Sequence, residues 1–392
     1  MKICVLVTKN HISGGTKSAL RLAQHLSLFH DVAAYYPVVP YYFLTAKTLS
    51  PIGKARHVLR VVRQSWPAVI LRFAQNDSGL TGSHLRCWAV KYLSKYVRSR
   101  IHFDEPGYKL RYEWYLLHPN RDFLAGFDAI IYLSPWSYQE VKDTPGARKI
   151  FWCTADYLHT TIRHSIGAIL EAYHSSDRLI AKSEFIRRSL AIVGAKVHGS
   201  IGGAIDKTFH LSQERCQTDT ISVLGYFHHF SAVKGAPTLL KVLFMLRAKY
   251  PELQIDLWGP GGSNIANQAP HICNRYYSNL TPIEAAALYR EHSIFLYPGY
   301  TDGFQSPPLE AMASGCAVVA TDVGGVPEYA VHEHNALICP PMDADAMFEC
   351  ADRLIQDASL RERLAHNAVE EARKWTWESC AEKFNELLEE SA

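Results

Sequence analysis

The chain has 392 residues, 48% apolar and 20% charged, with a formal net charge of +3. That length suits two domains, each able to bury its own core. The composition is that of an ordinary globular protein. It excludes a membrane-spanning helix, because no apolar run reaches the ~18–20 residues that one needs. The nine cysteines are scattered, with no close pairs at metal-ligand spacing, and read as reduced thiols packing as small hydrophobes. Charge is unevenly placed: residues 1–200 hold 27 basic and 13 acidic residues, and the remainder 14 basic and 25 acidic. A basic first half suits an anionic partner such as membrane phosphates, a lipid-linked phosphate or nucleic acid.

In chain order, Lys2 to Val7 reads as a buried strand, too short for a signal-peptide core, so a cytoplasmic location is expected. A polar loop ends in Gly14-Gly15, and Thr16 to Leu28 carries Ala19, Leu20, Leu22, Ala23 and Leu26 at helical spacing. Strand, glycine loop and helix open a doubly wound α/β domain. Ile52 to Trp66 and His84 to Arg100 read as basic amphipathic helices. Strands follow at 127–133, 149–153, 178–181 and 195–200. The second half alternates more regularly. Strands are expected at 221–224, 253–258, 294–297, 317–321 and 335–338, and helices at 236–249 and 282–291, with another opening at Leu309 to Ala313. Residues 343–392 read as helical throughout. This alternation implies a second parallel sheet covered on both faces.

The densest chemical signal runs from Tyr297 to Tyr329. A strand ends, a loop containing Gly303 follows, and a helix begins. Amide groups at a helix start favour anions, and ligands of open α/β sheets sit beyond the carboxyl ends of strands. Asp302 and Glu310 bracket this turn. Carboxylates beside an anion site repel phosphate and suit sugar hydroxyls as acceptors. An acidic first turn of an ordinary helix is the plainer alternative. Asp343-Ala344-Asp345 has the spacing of metal-dependent transferases, but it follows Pro340-Pro341 and precedes an amphipathic helix, so it reads as an N-cap.

This stretch resembles the signature of the retaining glycosyltransferases of family 4, which have the GT-B fold. Their pattern, E-G-F-G-x-x-x-L-E-A-M-A-x-G-x-P-V-V-A, is matched at Gly303, Phe304, Leu309, Glu310, Ala311, Met312, Ala313, Gly315, Val318, Val319 and Ala320, and Gly324 to Glu328 matches as well. The first glutamate is replaced by Asp302. The resemblance implies that this position contacts the transferred sugar near the reaction centre and that Glu310 holds the nucleotide ribose. The backbone of Gly303, Phe304, Gln305, Ser306 and Pro307 would bind sugar hydroxyls and phosphate. Val233-Lys234-Gly235 resembles the family's Lys-Gly, whose lysine meets the donor diphosphate. Tyr226 stands where many relatives have arginine, with His228 or His229 as alternative donors. Gly14-Gly15 resembles the pair whose backbone approaches the donor phosphates. Ala155 stands where relatives have an acceptor-side histidine, and Asp156 and His159 read either as substrate contacts or as polar loop residues.

The expected fold is therefore GT-B: two Rossmann-like doubly wound domains facing across a cleft, the last helix packing back on the first domain. The expected divisions are 1–205 for the acceptor, 206–375 for the nucleotide-sugar donor and 376–392 for the returning helix. The chain reads as a metal-independent retaining glycosyltransferase with a nucleotide diphosphate sugar as co-substrate, no cofactor and no nucleic-acid partner. Its acceptor would be a glycan or a lipid-linked molecule in envelope polysaccharide or glycolipid synthesis. The basic first domain would contact the anionic inner face of the membrane peripherally. The alternatives are a catalytically silent GT-B scaffold and a nucleotide-sugar epimerase.

Overall fold

The computed structural model describes residues 1–7, 14–37, 107–115, 119–160, 166–211, 220–228, 232–260, 271–278, 280–301 and 303–390. The basic helices expected at 52–66 and 84–100 lie outside these residues. The chain divides into two compact units: Met1–Cys153 with His164–Ile180, and Thr154–Arg163 with Ala181–Ala392.

The first unit is built on β1 (Lys2–Leu6), β2 (Asp31–Pro37), β3 (Arg111–Tyr115), β4 (Ala129–Tyr132), β5 (Arg148–Cys153) and β6 (Arg178–Ala181), in the sheet order β3-β2-β1-β4-β5-β6. β1 pairs parallel with β2 on one side and β4 on the other. Ile3, Cys4, Val5 and Leu6 are all buried, as a central strand covered on both faces requires. β2 and β3 are not among the strands expected from sequence. β2 ends in Pro37, and β3 carries Arg111 and Glu113, so neither reads as a continuous apolar run. The first helix spans Gly14–Leu26, so the glycine pair expected in a loop forms the opening turn of the helix instead.

In the second unit, the strand expected at 195–200 is reduced to β7 (Gly199–Ser200). The unit's sheet comprises β8 (Ser222–Tyr226), β9 (Gln254–Gly259), β10 (Arg275–Ser278), β11 (Ile294–Tyr297), β12 (Ala317–Thr321) and β13 (Leu337–Cys339). Their order is β10-β9-β8-β11-β12-β13, with every pairing parallel. Side chains alternate between two cores, one on each face. Val223, Ile294, Leu296, Ala317 and Val319 enter one; Leu224, Phe295, Tyr297, Val318 and Ala320 enter the other. Period-two alternation with both faces buried explains why these strands read as unbroken apolar runs.

The helical tail expected at 343–392 is three helices, Ala344–Gln356, Ala358–Ala372 and Trp377–Glu389. Asp343 caps the first through Ala346 N–H, as the N-cap reading requires, and Asp357 caps the second through Leu360 N–H. The last helix sets Leu387 against Gly199, where an added Cβ would lie 2.7 Å from Leu387 Cδ1. It also pairs Glu378 with Lys207 at 2.6 Å. The seven described cysteines are free and buried, and burial pushes the Cys380 and Cys339 thiols up to about 12. Among the described residues no helix is long and apolar enough to cross a membrane.

One buried polar pair ties the core of this unit together. His292 Nδ1 lies 2.8 Å from Leu288 O and Nε2 lies 3.2 Å from Asp256 Oδ2, with both side chains 1% exposed. Both ring nitrogens thus face oxygens, which fixes the plane of the imidazole. Asp256→Ala leaves the imidazole without its buried partner. It is expected to cost about 3–5 kcal/mol of stability, read as a fall in the urea midpoint at unchanged slope. The double replacement Asp256→Leu with His292→Leu is expected to recover part of that loss.

Candidate functional site

The strand order of the second sheet reverses between β8 and β11. That is the topological switch point, where the loops leaving two neighbouring strands diverge and open a crevice at their carboxyl ends. The loop after β8 carries Lys234 and Gly235. The loop after β11 carries Pro298 to Gln305 and leads into the helix Ser306–Ala313. The two loops are tied together: Tyr300 N–H donates to Val233 O at 2.8 Å, and Tyr300 and Thr238 share a hydroxyl hydrogen bond of 2.8 Å. Gly235 adopts φ +73°, and a Cβ there would lie 1.8 Å from Pro298 O. Only glycine combines that left-handed turn with so close an approach.

Glu310 lies one turn into the helix Ser306–Ala313 and is buried. It faces aromatic side chains from the helix Pro282–Glu291 and from neighbouring strands. Tyr289 Oη donates to Glu310 Oε2 at 3.5 Å. The Trp258 ring meets Tyr289 at 5.6 Å and Tyr226 at 5.0 Å, and Tyr226 meets Tyr297 at 5.8 Å. Burial first, then the Glu310 carboxylate, drives the Tyr226 and Tyr289 phenols well above their ordinary value. Both keep their protons in the field of the carboxylate, and Tyr289 donates to it. Tyr226, read from the sequence as standing in place of an arginine, thus holds a phenol within the field of Glu310.

The Gly303 turn is held from several sides. Ser183 Oγ donates to Gly303 O at 2.8 Å and accepts from Ile186 N–H, capping the helix Glu184–Ile192. A Cβ on Gly303 would lie 2.6 Å from Thr154 O and 3.0 Å from Ala155 Cα, which brings the Thr154-Ala155-Asp156 segment beside this turn. Phe304 is buried under Trp375 and Tyr329, each ring 5.6 Å away. Lys182 Nζ lies 5.5 Å from its centroid. A side chain on Gly203 would overlap that ring, with a Cβ 2.1 Å from Phe304 Cε1. The side chain of Phe304 is therefore a packing element, and only its main chain is available to a ligand. Gln305 is buried as well. Its Oε1 accepts from Gly325 N–H at 3.0 Å and its main-chain oxygen accepts from Tyr329 Oη at 2.7 Å, while its Nε2 has no hydrogen-bond partner among the described residues. Pro307 and Pro308 have no amide proton, so Pro307 cannot donate to a phosphate through its backbone. Among the described residues the Ser306 N–H meets no acceptor.

Lys234 closes the short 3-10 turn Ala232–Lys234. Burial lowers its ammonium to about 8, because desolvation disfavours the charged form.

The remaining sequence-derived candidates are placed as follows. Asp302 lies outside the described residues. Gly14 and Gly15 sit in the first unit at the start of its first helix, after β1, where that sheet's order also reverses. An added Cβ on Gly15 would meet nothing within 4 Å. Asp156 is buried beneath the helix Glu184–Ile192, with Ser189 Oγ 3.5 Å from Oδ2. His159 belongs to the short helix Tyr157–Thr160, and its side chain lies outside the described residues. Sequence reading missed Ser183, Tyr289 and Tyr329. Ser183 before the helix Glu184–Ile192 is a legible N-cap, but its bond to Gly303, like those of Tyr289 to Glu310 and Tyr329 to Gln305, spans more than 20 residues and leaves no local pattern.

With this geometry in place, residues 218–357 match the family model of glycosyl transferases group 1. The segment carrying the switch point, Lys234 and Glu310 is thus a glycosyl transferases group 1 domain, and the two-unit chain has the GT-B fold. The D-inositol 3-phosphate glycosyltransferase of Corynebacterium jeikeium is 28% identical over 181 residues, which cover 43% of each chain. The protein of the same name from Corynebacterium urealyticum is 26% identical over 65% of this chain and 62% of its own. The chain thus spans less than two thirds of the length of these relatives. Among solved structures, Anabaena HepE in complex with UDP and glucose superposes with a TM-score of 0.70 at 13% identity, covering 99% of both chains. Sucrose-phosphate synthase from Thermosynechococcus elongatus does so with 0.66 at 14% identity, over 99% of this chain and 98% of its own. At such identities the likeness concerns the fold.

Proposed function

We propose that this protein is a retaining, metal-independent glycosyltransferase that moves a sugar from a nucleotide diphosphate sugar to a hydroxyl of a glycan or lipid-linked acceptor. One observation carries the reading: two loops joined at the switch point carry a lysine and main-chain amides, and the helix that follows them holds a buried carboxylate bonded by the Tyr289 phenol. In it, the Lys234 ammonium and the amides of Gly303 to Ser306 stabilise charge developing on the departing diphosphate. Glu310 accepts from the ribose hydroxyls, and Asp302 contacts the transferred sugar. The bond from the anomeric carbon to phosphate breaks as the acceptor oxygen bonds on the same face. The hydroxyl proton passes to the departing phosphate. Gly14-Gly15 approaches the donor phosphates, and Asp156 and His159 belong to the acceptor side. The division at 205, with 376–392 as a returning helix, assigns acceptor and donor to different domains. The basic first half supports a peripheral contact with anionic membrane in envelope polysaccharide or glycolipid synthesis.

The proteins solved with UDP-glucose or UDP make uridine donors the first to try. A thermal-shift screen of UDP-, GDP-, dTDP- and ADP-sugars tests the reading. A donor at 100 times its Kd adds about 2.7 kcal/mol of stability, a shift of several degrees. A flat response across all four sugars would sink it. Asp302→Ala is expected to lower kcat more than 100-fold with little change in donor affinity, because only the transition state uses that contact fully. Asp302→Glu is expected to keep most of the activity. The anomeric configuration of the product, read by NMR, decides retention.

Tyr226 beside Glu310 favours a second reading, a scaffold that binds donor without turning it over. Donor binding without transfer or hydrolysis across a broad acceptor panel would establish it, and epimerised free donor would instead mark an epimerase.

A further inference from the structure

The Gly303–Ser306 turn combines two fixed carbonyls with two unused amides. Ser183 Oγ donates to Gly303 O at 2.8 Å and Tyr329 Oη donates to Gln305 O at 2.7 Å, both buried. A trans peptide unit is planar, with the carbonyl of one residue and the N–H of the next pointing in opposite directions. Fixing Gly303 O therefore fixes Phe304 N–H on the far side of the same plane, and fixing Gln305 O does the same for Ser306 N–H. Neither amide donates to any described residue. Both hydroxyls are built to stay in place. Ser183 is held a second time by Ile186 N–H and has no exposed surface. The buried Tyr329 phenol is driven well above its ordinary value by burial, which keeps its proton. The helix that Ser183 caps is tied to the same segment as Tyr329 by a further bond, Glu184 N–H to Glu328 Oε1 at 2.7 Å. Between the two amides the Gln305 Nε2 group is buried without an acceptor, so the turn holds more donors than the protein satisfies, the inverse of an ordinary loop.

We propose that Ser183 and Tyr329 are positioning residues. Their hydroxyls orient two peptide planes so that Phe304 N–H and Ser306 N–H are presented, preorganised, to a diphosphate. The inference rests on the donor-site reading above. It assigns the orienting role to two side chains that do not touch the ligand themselves.

The test compares UDP with uridine by calorimetry on the full chain, for the native protein and for Ser183→Ala, Ser183→Thr and Tyr329→Phe. Only UDP carries the diphosphate that the amides would meet. Ser183→Ala and Tyr329→Phe are each expected to weaken UDP about tenfold and to leave uridine within about twofold, in line with the loss of one charge-assisted hydrogen bond. Ser183→Thr keeps the hydroxyl and is expected to restore UDP affinity. A structural role alone would lower thermal stability and weaken both ligands alike, and that result overturns the proposal. Equal UDP affinity in all four proteins overturns it too. Failure of the native protein to bind UDP, with another nucleoside diphosphate binding in its place, moves the comparison to that nucleotide and its nucleoside. Failure to bind any of them ends the donor-site reading itself, and the proposal with it.

Discussion

Lys234→Met is expected to weaken nucleoside diphosphate binding about 10- to 100-fold and to lower kcat/KM by at least as much. The ammonium is partly buried at the mouth of the switch point, and burial has already lowered it to about 8. A charge-assisted bond to phosphate contributes about 1.5–3 kcal/mol, and the leaving diphosphate gains charge in the transition state, where the lysine acts most strongly. The pH dependence follows with a definite sign. The free protein loses the proton as pH rises through about 8, whereas the diphosphate holds it in the complex. The lysine therefore adds no pH dependence below about pH 7, and affinity falls by up to tenfold per pH unit above about 8. For folding the sign is opposite to that of a group raised by a partner. The unfolded chain keeps the proton up to the ordinary lysine value, so this residue's contribution to stability rises with pH above about 8. Calorimetry of UDP binding from pH 6 to 9.5 checks the first part, and urea midpoints over the same range check the second. Lys234→Met is expected to remove the alkaline limb, and a limb that persists would assign it to another group.

Gly235→Ala is expected to be the most damaging single-methyl change in the second unit. The residue sits at φ +73° and ψ 22°, which costs an alanine about 1 kcal/mol. The new Cβ would also lie 1.8 Å from Pro298 O, a main-chain atom that cannot swing aside. The loops after β8 and β11 must separate, breaking the Tyr300–Val233 bond that joins them. A loss above about 3 kcal/mol is expected, with donor affinity falling alongside stability because Lys234 moves with the loop. Gly15→Ala is the informative contrast. Its Cβ meets nothing within 4 Å and it stands in the first turn of a helix, so stability is expected to hold or rise by up to about 1 kcal/mol. If donor affinity nonetheless falls, a phosphate approaches that backbone closely. If it does not, the glycine pair has no part in donor binding.

Much of the second unit was legible in the chain because parallel strands buried on both faces leave continuous apolar runs. Ile294 to Tyr297 and Ala317 to Thr321 have the expected bounds. Helix 282–291 is announced by Thr281 and Glu284, which form a complete capping box. In the first unit β3 was not legible. Its Arg111 and Glu113 break the apolar pattern, and its strand neighbour is supplied from about 80 residues away. The glycine pair at 14–15 was misplaced for a related reason. Glycine is compatible with a loop and with a helix's opening turn alike, and local sequence does not choose between them.

By itself, the sequence determined the alternation of strands and helices, the two-domain size, and the motif around Glu310, because each depends on residues close together in the chain. Only the tertiary structure decided which groups meet there. The strand order put the Lys234 and Gly303 loops side by side at the switch point. It set Tyr226, Trp258 and Tyr289 around Glu310 and turned Phe304 and Gln305 inward as packing. It also brought Ser183 and Tyr329 onto the carbonyls of Gly303 and Gln305. Such contacts join residues tens to over a hundred positions apart, and their hydrogen bonds depend on positions of a few tenths of an ångström that packing sets and residue spacing does not encode.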